Sequence, residues 1–262
     1  TDFWLAKRFP ASPQPGFMAD RFTERYYPET RFMGFTRLDG TLAFYSRVNA
    51  LLTSQTVVVD FGCGRGAYQD DPVPYRRHLR ILKGKAARVI GLDVTAAGEH
   101  NPYLDEFHRL EGPAWPLPSA SAGLVLCDQV LEHLPDPAQF FLEACRVLAA
   151  GGSLCIRTPN AWSYIGLLSR IIPSRSHAGL LNRVKDHIQE EDVFPTLYRC
   201  NSLGAIKKQL RQNGFQGVVY GYEAEPSYLS FSGLAYALGV FHQRHAPGFL
   251  RASLFSFAQK AP

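Results

Sequence analysis

Residues 57–68 read Val-Val-Val-Asp-Phe-Gly-Cys-Gly-Arg-Gly-Ala-Tyr, and this stretch decides how the rest of the chain folds. Three β-branched residues run into Asp60, a pattern typical of a buried parallel strand. Gly62, Gly64 and Gly66 follow the strand, where glycines let the backbone turn tightly and approach a ligand closely. The stretch therefore predicts the first strand of an α/β sheet, followed by a ligand-binding turn.

The acid in front of the first glycine indicates which kind of ligand the turn suits. A carboxylate at Asp60 would repel a phosphate group, and the Gly-Lys-Ser/Thr ending of a phosphate-binding loop is missing. Asp60 favours a cationic or polyhydroxylated ligand instead, and S-adenosylmethionine, with its sulfonium, ammonium and ribose groups, is both. Taken alone, the glycine pattern is equally consistent with an ordinary strand-to-loop junction.

An acid follows each of the first four predicted strands. Ligands of open parallel sheets bind beyond the carboxyl ends of the strands, so acids that share this edge predict a binding site, although each alone could be a surface loop residue. The acids are Asp60 after strand 1, Asp93 after strand 2 (87–92), Glu111 after strand 3 (107–110) and Asp128 after strand 4 (123–127).

The remaining pattern alternates strands with helices, which predicts an α/β fold with a doubly wound, mostly parallel sheet. Residues 70–85 make the first crossover longer than usual and are expected to be an insertion. The other strands are expected at 153–157, 215–222 and 252–258, and the helices at 38–52, 75–83, 137–148 and 201–213.

Four segments, in order, resemble the class I S-adenosylmethionine-dependent methyltransferases, in particular their small-molecule branch. They are VVVDFGCGRG, VIGLDV, the LEG…WPLPSASAGLVLCDQVLEHLPDP run and RVLAAGGSLCIRTPN, and they span about residues 55–160. The resemblance implies a Rossmann-like methyltransferase fold with seven strands, of which the seventh is antiparallel. It also implies S-adenosyl-L-methionine as the cofactor.

The resemblance assigns cofactor-binding roles to the strand ends. The first motif lies along the methionine moiety, the acid after strand 2 takes both ribose hydroxyls, the acid after strand 3 accepts from the adenine amino group, and the end of strand 4 forms the wall next to the sulfonium. In this sequence the first motif corresponds to Asp60, Gly62, Cys63 and Gly64, and the acid after strand 2 is Asp93, with Val94 beside the adenine face. The acid after strand 3 is Glu111, with the Gly112 backbone, and the end of strand 4 is Asp128 with Gln129.

Departures from the family pattern concern the adenine pocket and the first crossover. Ser121-Ala122-Gly123 stands where many relatives carry Ser-Phe-Asp, Glu111 stands where the shorter Asp is commoner, and the insertion at 70–85 is unusual.

The expected activity is methyl transfer to a small-molecule acceptor, most often at oxygen, with a sugar, a lipid-linked intermediate or a secondary metabolite as substrate. A hydroxyl acceptor needs a general base, and His133, just after strand 4, is the candidate. A structural role for His133 at a loop-to-helix junction is the more frequent outcome for such a residue. The alternatives are a nucleic-acid methyltransferase or binder, and a catalytically inactive cofactor-binding scaffold.

Residues 1–262 are expected to form a single domain with three additions. The aromatic-rich segment 1–35 predicts an N-terminal arm, and 161–200 predicts a lid over the methyl end of the cleft. The segment 227–247, between strands 6 and 7, is apolar on most sides; burial at a subunit or lid contact is favoured over a surface for a greasy substrate or a membrane.

The charge and the cysteines indicate which partners and which cellular compartment to expect. The net charge of +5 permits an anionic partner, but the cations at 76–85 are expected to form a solvated helix face. Five cysteines without a Cys-x-x-Cys pair predict buried thiols, no metal site and a reduced, cytoplasmic protein. The sequence contains no run of 18 apolar residues, so no transmembrane helix is expected. No nucleic-acid partner is expected, and a homo-oligomer is allowed. Cations of the predicted lid favour an anionic acceptor; they are Arg175, His177, Arg183, Lys185 and His187.

Overall fold

The computed structural model describes residues 21–171 and 194–262, and its elements follow the predicted alternation. The strands are β1 Val57–Phe61, β2 Arg88–Asp93, β3 Glu106–Arg109, β4 Ala122–Asp128, β5 Leu148–Pro159, β6 Phe215–Tyr222 and β7 Ser253–Lys260. The helices are α1 Arg21–Tyr26, α2 Gly40–Ala50, α3 Pro74–Arg80, α4 Pro137–Val147, α5 Tyr164–Ile171, α6 Leu203–Gln212 and α7 Gly233–His245. Short 3-10 turns lie at Pro28–Arg31, Ala67–Asp70, Ala96–His100, Leu131–His133, Ser227–Leu229 and Gly248–Leu250.

The strands form one seven-stranded sheet in the order β3-β2-β1-β4-β5-β7-β6. Strands β1 to β5 pair in parallel, whereas β7 runs antiparallel to both of its neighbours, β5 and β6. Consequently β6 points the same way as β1 to β5, and the carboxyl ends of six strands share one edge. The predicted mostly parallel, doubly wound sheet with an antiparallel seventh strand is confirmed.

Apolar side chains cover both faces of the sheet. On one face Phe61 stacks on Trp115 with ring centroids 5.0 Å apart, and α4 adds Phe140 at 4.9 Å from Phe61. On the other face α2 places Phe44 against Phe255 of β7, at 5.3 Å. The described helices therefore cover both faces of the sheet with apolar side chains, so a polar ligand is expected at its carboxyl edge.

Helix α4 begins as its sequence predicts. Asp136 is the N-cap residue, and its carboxylate accepts hydrogen bonds from the backbone N–H groups of Ala138 and Gln139. Pro137 occupies the first helical position, where the missing N–H costs nothing because that group would have no partner inside the helix. The cap fixes the chain direction just after the loop that leaves β4.

Part of the predicted N-terminal arm packs on α7. The rings of Phe22 and Tyr26 in α1 lie 6.1 Å and 5.6 Å from that of Tyr236, whose hydroxyl bonds the Thr23 hydroxyl at 3.0 Å. Residues 1–20 of the arm fall outside the described part of the chain, as do residues 172–193 of the predicted lid with their five cations. The covering roles of arm and lid stay predictions.

One face of α7 is exposed in the single chain, and burial of the segment 227–247 at a subunit or lid contact stays a prediction. Tyr236 and Val240 are buried on the inner face, but the outer face carries an apolar stripe. Leu234 (74% exposed), Leu238 (61%) and Phe241 (64%) repeat at helical spacing on the side away from Tyr236. Phe231, just before the helix, extends the stripe and is 74% exposed. A sequence that is apolar all round an element cannot show which of its sides has a partner.

The expectation of a solvated basic face at 76–85 is wrong. Arg76 forms ion pairs with Asp71 (Nε to Oδ2, 2.5 Å) and with Asp39 (Nη1 to Oδ2, 2.8 Å), so that it ties α3 to the start of α2. The ammonium group of Lys85 bonds the side-chain oxygen of Asn49 at 2.9 Å. The periodicity of α3 gave the helix correctly, but its cations face carboxylates and carbonyls that come from distant segments.

No helix among the described residues has both the length and the apolar character needed to cross a membrane. In the same part of the chain, no three His, Cys, Asp or Glu side chains converge in a way that could hold a metal ion.

Candidate active site

The glycine turn after β1 has the shape that the sequence predicts. Gly62, Gly64 and Gly66 all have positive φ values of 74°, 51° and 74°. A side chain at Gly62 would also clash with Val130, since an added Cβ would lie 2.3 Å from the Val130 Cγ2 atom. At Gly64 nothing lies within 4 Å of such a Cβ, which leaves that part of the backbone open to a ligand.

Asp93, the last residue of β2, is buried and holds the glycine turn in place. One carboxylate oxygen accepts from the Gly64 N–H at 3.0 Å, and the other accepts from the Thr95 N–H and hydroxyl, both at 2.9 Å. Asn101 reinforces the turn by donating to the carbonyl oxygens of Cys63 and Gly64 at 3.2 Å. An ionised carboxyl group has about four acceptor sites, and three of them are used here, so Asp93 has about one left for a ligand hydroxyl.

The residues assigned to the adenine side lie around an open surface. Val94 follows Asp93 directly and is 56% exposed, an unusual position for a β-branched apolar side chain. Glu111 and Gly112 lie beyond the end of β3 and are exposed, with nothing within 4 Å of a Cβ at Gly112. These three residues can therefore contact a flat apolar group with a polar rim.

Asp60 is half-buried among charges near the carboxyl end of β1. Burial and repulsion from Asp128 raise the pKa of its carboxyl group to about 7, while the guanidinium of Arg80 works in the opposite direction and Asp93 adds a smaller increase. The ionised form of Asp60 is therefore costly without a cationic group in contact with it. A ligand cation would supply that charge.

Asp128, at the end of β4, is neutralised from inside the protein. Arg157 on the neighbouring strand β5 makes two hydrogen bonds to its carboxylate at 2.6 Å and 2.7 Å, and the Tyr45 hydroxyl donates at 2.8 Å. Despite burial, Arg157 and Arg80 hold the pKa of the Asp128 carboxyl below its usual value. Arg157 also bonds the Thr41 hydroxyl at the start of α2. The Asp128–Arg157 pair therefore connects β4, β5 and α2 at the site.

Arg157 and Tyr45 are site residues that the sequence reasoning missed. A signal was present for Arg157, an arginine near the carboxyl end of an otherwise apolar strand. A buried cation needs a counter-ion, and Asp128 lies on the predicted neighbouring strand in register with it. No comparable signal identifies Tyr45, since tyrosine on an amphipathic helix is ordinary core material.

Gln129 turns the chain sharply at the predicted sulfonium wall. Its φ of 60° is in the left-handed region, which is uncommon for a residue other than glycine, and its N–H donates to the Arg157 carbonyl at 2.8 Å. Such backbone strain concentrates at functional sites because the surrounding structure has to enforce it.

His133 lies in the 3-10 turn after β4 and is firmly held. Its Nδ1 atom bonds the Pro195 carbonyl at 3.0 Å, and its ring packs 6.0 Å from that of Phe194. Its neighbour Glu132 is buried, accepts from the Thr158 hydroxyl at 2.8 Å and, through its carbonyl, from the backbone of Leu197. The turn therefore anchors residues 194–197, at the end of the predicted lid, to the carboxyl edge of the sheet.

Cys63 can contribute to binding only through its backbone. Its side chain is packed into the core beneath the turn, and burial raises the pKa of its thiol far above the usual value. The other described cysteines are buried except Cys145, which is partly exposed, and none forms a disulfide.

A sheet of this order, with a left-handed glycine turn after β1 and acids at the ends of β1, β2 and β4, defines a class I S-adenosylmethionine-dependent methyltransferase. The methyltransferase domain family matches residues 31–220, and the chain belongs to that family. The matched residues therefore form a methyltransferase domain, and the cofactor of that family is S-adenosylmethionine.

Named relatives are similar over parts of the chain. A probable S-adenosylmethionine-dependent methyltransferase of Mycolicibacterium smegmatis is 38% identical over 39% of this chain and 38% of its own length. The trans-aconitate 2-methyltransferase of an Azoarcus strain is 26% identical over 72% of this chain and 79% of its own. A ubiquinone biosynthesis O-methyltransferase of Nitrosomonas europaea is 28% identical over 47% and 56%. The chain thus spans well under half of the mycobacterial relative.

Solved structures share the fold at low sequence identity. A S-adenosylmethionine-dependent methyltransferase from Archaeoglobus fulgidus superposes with a TM-score of 0.53 at 18% identity, covering 88% of this chain and 97% of its own. A putative methyltransferase of Haloferax volcanii, solved with its Trm112 activator, gives 0.54 at 16%, covering 94% and 100%.

The residues at the sheet edge fit the cofactor. The open backbone at Gly64, the buried acceptor Asp93 and the exposed Val94 suit the aminoacyl, ribose and adenine parts respectively. When bound, S-adenosylmethionine supplies a methyl group on a sulfonium that is already activated for displacement. The chain has to align the acceptor with that group and exclude water.

Proposed function

We propose that this methyltransferase acts on an oxygen atom of a small-molecule acceptor, with His133 as the general base when that oxygen is a hydroxyl. The arrangement of His133 carries the proposal. A carbonyl oxygen can only accept, so the bond to Pro195 requires the proton of neutral His133 to sit on Nδ1. The lone pair is then on Nε2, which is the atom that would take a proton from the acceptor.

The position of His133 supports this role. It belongs to the turn that follows β4, next to the strained Gln129 and above the strand end to which the resemblance assigns the sulfonium wall. Its side chain is partly exposed, whereas Glu132 beside it is buried, with its Oε1 atom 3.8 Å from Nε2. A carboxylate this close stabilises the imidazolium that forms when His133 accepts a proton.

The named relatives support oxygen as the acceptor atom. One carries an O-methyltransferase name and another the name of an enzyme acting on trans-aconitate, an organic acid. A carboxylate acceptor would need no base because it is already anionic. An acid substrate would also agree with the anionic acceptor that the cations of 161–200 predict.

The test combines a product screen with a His133 variant. Protein incubated with tritiated S-adenosylmethionine and a metabolite extract should label a small molecule. Release of labelled methanol in mild alkali identifies a carboxyl ester, and for alkali-stable label the carbon-13 shift of the transferred methyl group distinguishes an ether from a methyl group on nitrogen or carbon. With a hydroxyl acceptor, His133→Gln should lower kcat by about 10²-fold or more and leave the cofactor Kd unchanged, while the exposed His100→Gln serves as the control. Label on nitrogen, or on RNA that retains the protein in a salt-dependent way, would refute the proposal.

A further inference from the structure

The inserted helix α3 brings an arginine to the carboxyl edge of the sheet. Arg80 is its last residue, and its guanidinium carbon lies 4.8 Å from the ring centroid of Tyr68 and 5.7 Å from that of Tyr45. Tyr68 belongs to the continuation of the glycine turn, and Tyr45 belongs to α2. The guanidinium is thus held by two aromatic rings that come from separate elements, as in cation–π contacts.

Protein groups do not saturate this guanidinium. Its only ion-pair contact among the described residues is long, from Nη2 to the Asp128 Oδ2 atom at 3.9 Å. Asp128 is already taken by Arg157 and Tyr45 at 2.6–2.8 Å. Within residues 21–171 and 194–262 the buried Nε–H of Arg80 has no acceptor. Buried donors are nearly always paired, so this one calls for an acceptor from outside the described residues.

The surroundings indicate an anion that belongs to a zwitterion. Arg80 lowers the pKa of both Asp60 and Tyr68, which shows that the three groups lie within electrostatic range of one another. A cation that is available for bonding and the half-buried carboxylate of Asp60 therefore lie within electrostatic range of each other. The strand that carries Asp60 leads into the glycine turn, where the backbone of Gly64 is open. This pair of opposite charges is complementary to an α-amino acid, with its carboxylate on the guanidinium side.

We propose that Arg80 binds the carboxylate of the methionine moiety of S-adenosylmethionine, so that the insertion at 70–85 completes the cofactor site from outside the family pattern. Arg80 is suited to this because a guanidinium offers a planar fork that matches a carboxylate. Arg76 positions the helix through its ion pairs with Asp71 and Asp39. The proposal rests on the cofactor of the family and does not depend on the acceptor or on His133.

The test compares two ligands that differ only in the carboxylate. These are S-adenosylhomocysteine and its decarboxylated analogue, measured by calorimetric titration. The parent protein should bind S-adenosylhomocysteine about tenfold or more tightly than the analogue. In Arg80→Gln this preference should fall to about twofold or less, because only the carboxylate-bearing ligand loses a partner. The matched control is Arg77→Gln, one turn back on α3. Its guanidinium bonds the Gln69 carbonyl at 3.3 Å, and the variant should keep the parent preference.

Each outcome decides the proposal. An equal loss of affinity for both ligands in Arg80→Gln would show that the residue supports the fold of the site and does not bind the carboxylate. Should that variant unfold, Arg80→Lys keeps a cation between the two rings and should retain an intermediate preference, and an unchanged preference there overturns the proposal. A parent protein that binds the two ligands equally also overturns it. Failure of the parent to bind either ligand would instead contradict the cofactor itself.

Discussion

At the scale of single residues, the carboxylate of Asp93 has two roles, and removing it should weaken cofactor binding through both. It holds the glycine turn through Gly64 and leaves about one acceptor site for a ribose hydroxyl. We expect Asp93→Ala to raise the Kd for S-adenosylmethionine at least tenfold, since hydrogen bonds to a charged group contribute about 1.5–3 kcal/mol each. Titration of folded protein checks this, with Asp70→Ala, an exposed acid paired with Arg65, as the control. An unchanged Kd would remove Asp93 from the ribose site.

Glu223 is a buried acid whose charge should make stability depend on pH. Burial raises its pKa to about 7, while hydrogen bonding from the Ala252 N–H and the charge of Arg251 work in the opposite direction. Because the folded-state pKa lies above the unfolded one, the contribution of Glu223 is fully present below about pH 4.5 and is lost as the pH rises through 7.

Glu223→Gln should therefore be more stable than the parent at pH 8 by on the order of 2 kcal/mol and nearly equal to it at pH 5. Glutamine resembles the neutral acid and keeps an acceptor for Ala252. Thermal unfolding across this pH range measures the difference, with the exposed Glu99→Gln as the control. A difference that stays constant with pH would show that Glu223 titrates normally.

The glycine turn is the element whose two halves should respond differently to substitution. Gly62→Ala should lose about 2–4 kcal/mol of unfolding free energy, because strain at positive φ adds to a clash with Val130. Gly64→Ala has the strain but open space, so it should lose only about 1–2 kcal/mol and chiefly weaken the cofactor. Chemical denaturation and titration separate the two effects. The double variant Gly62→Ala/Val130→Ala should recover part of the stability, and no recovery would contradict the steric explanation.

The elements and the strand ends could be predicted from the sequence because they depend on local patterns. Periodicity, the cap at Asp136 and the glycines all act within a few residues. The partners of Asp128 and the role of α3 could not, because they depend on which distant segments meet at the edge. Arg157 comes from the next strand and Tyr45 from a helix 83 residues earlier in the chain. Likewise, the apolar residues of α7 indicate a helix but not which side is covered.

At the scale of the whole molecule, the outer stripe of α7 should govern self-association. Leu234→Lys/Leu238→Lys should leave the melting temperature within a few degrees of the parent, since both side chains are exposed. It should also lower light scattering at high protein concentration, because an exposed apolar patch promotes association. On the opposite face Tyr236→Ala should instead cost about 3–5 kcal/mol of stability. Equal scattering by parent and double variant would show that the stripe is inert.

The place of β7 bears on how the chain is made on the ribosome. Strand β6 reaches the sheet only through β7, which lies between it and β5. During synthesis β5 emerges early, yet its outer edge must wait until residues 253–260 have left the exit tunnel, and β6 waits for the same eight residues. Two unpaired strand edges are exposed to neighbouring nascent chains over that interval. We therefore expect a polypeptide released before residue 253 to remain aggregation-prone, however complete its glycine turn.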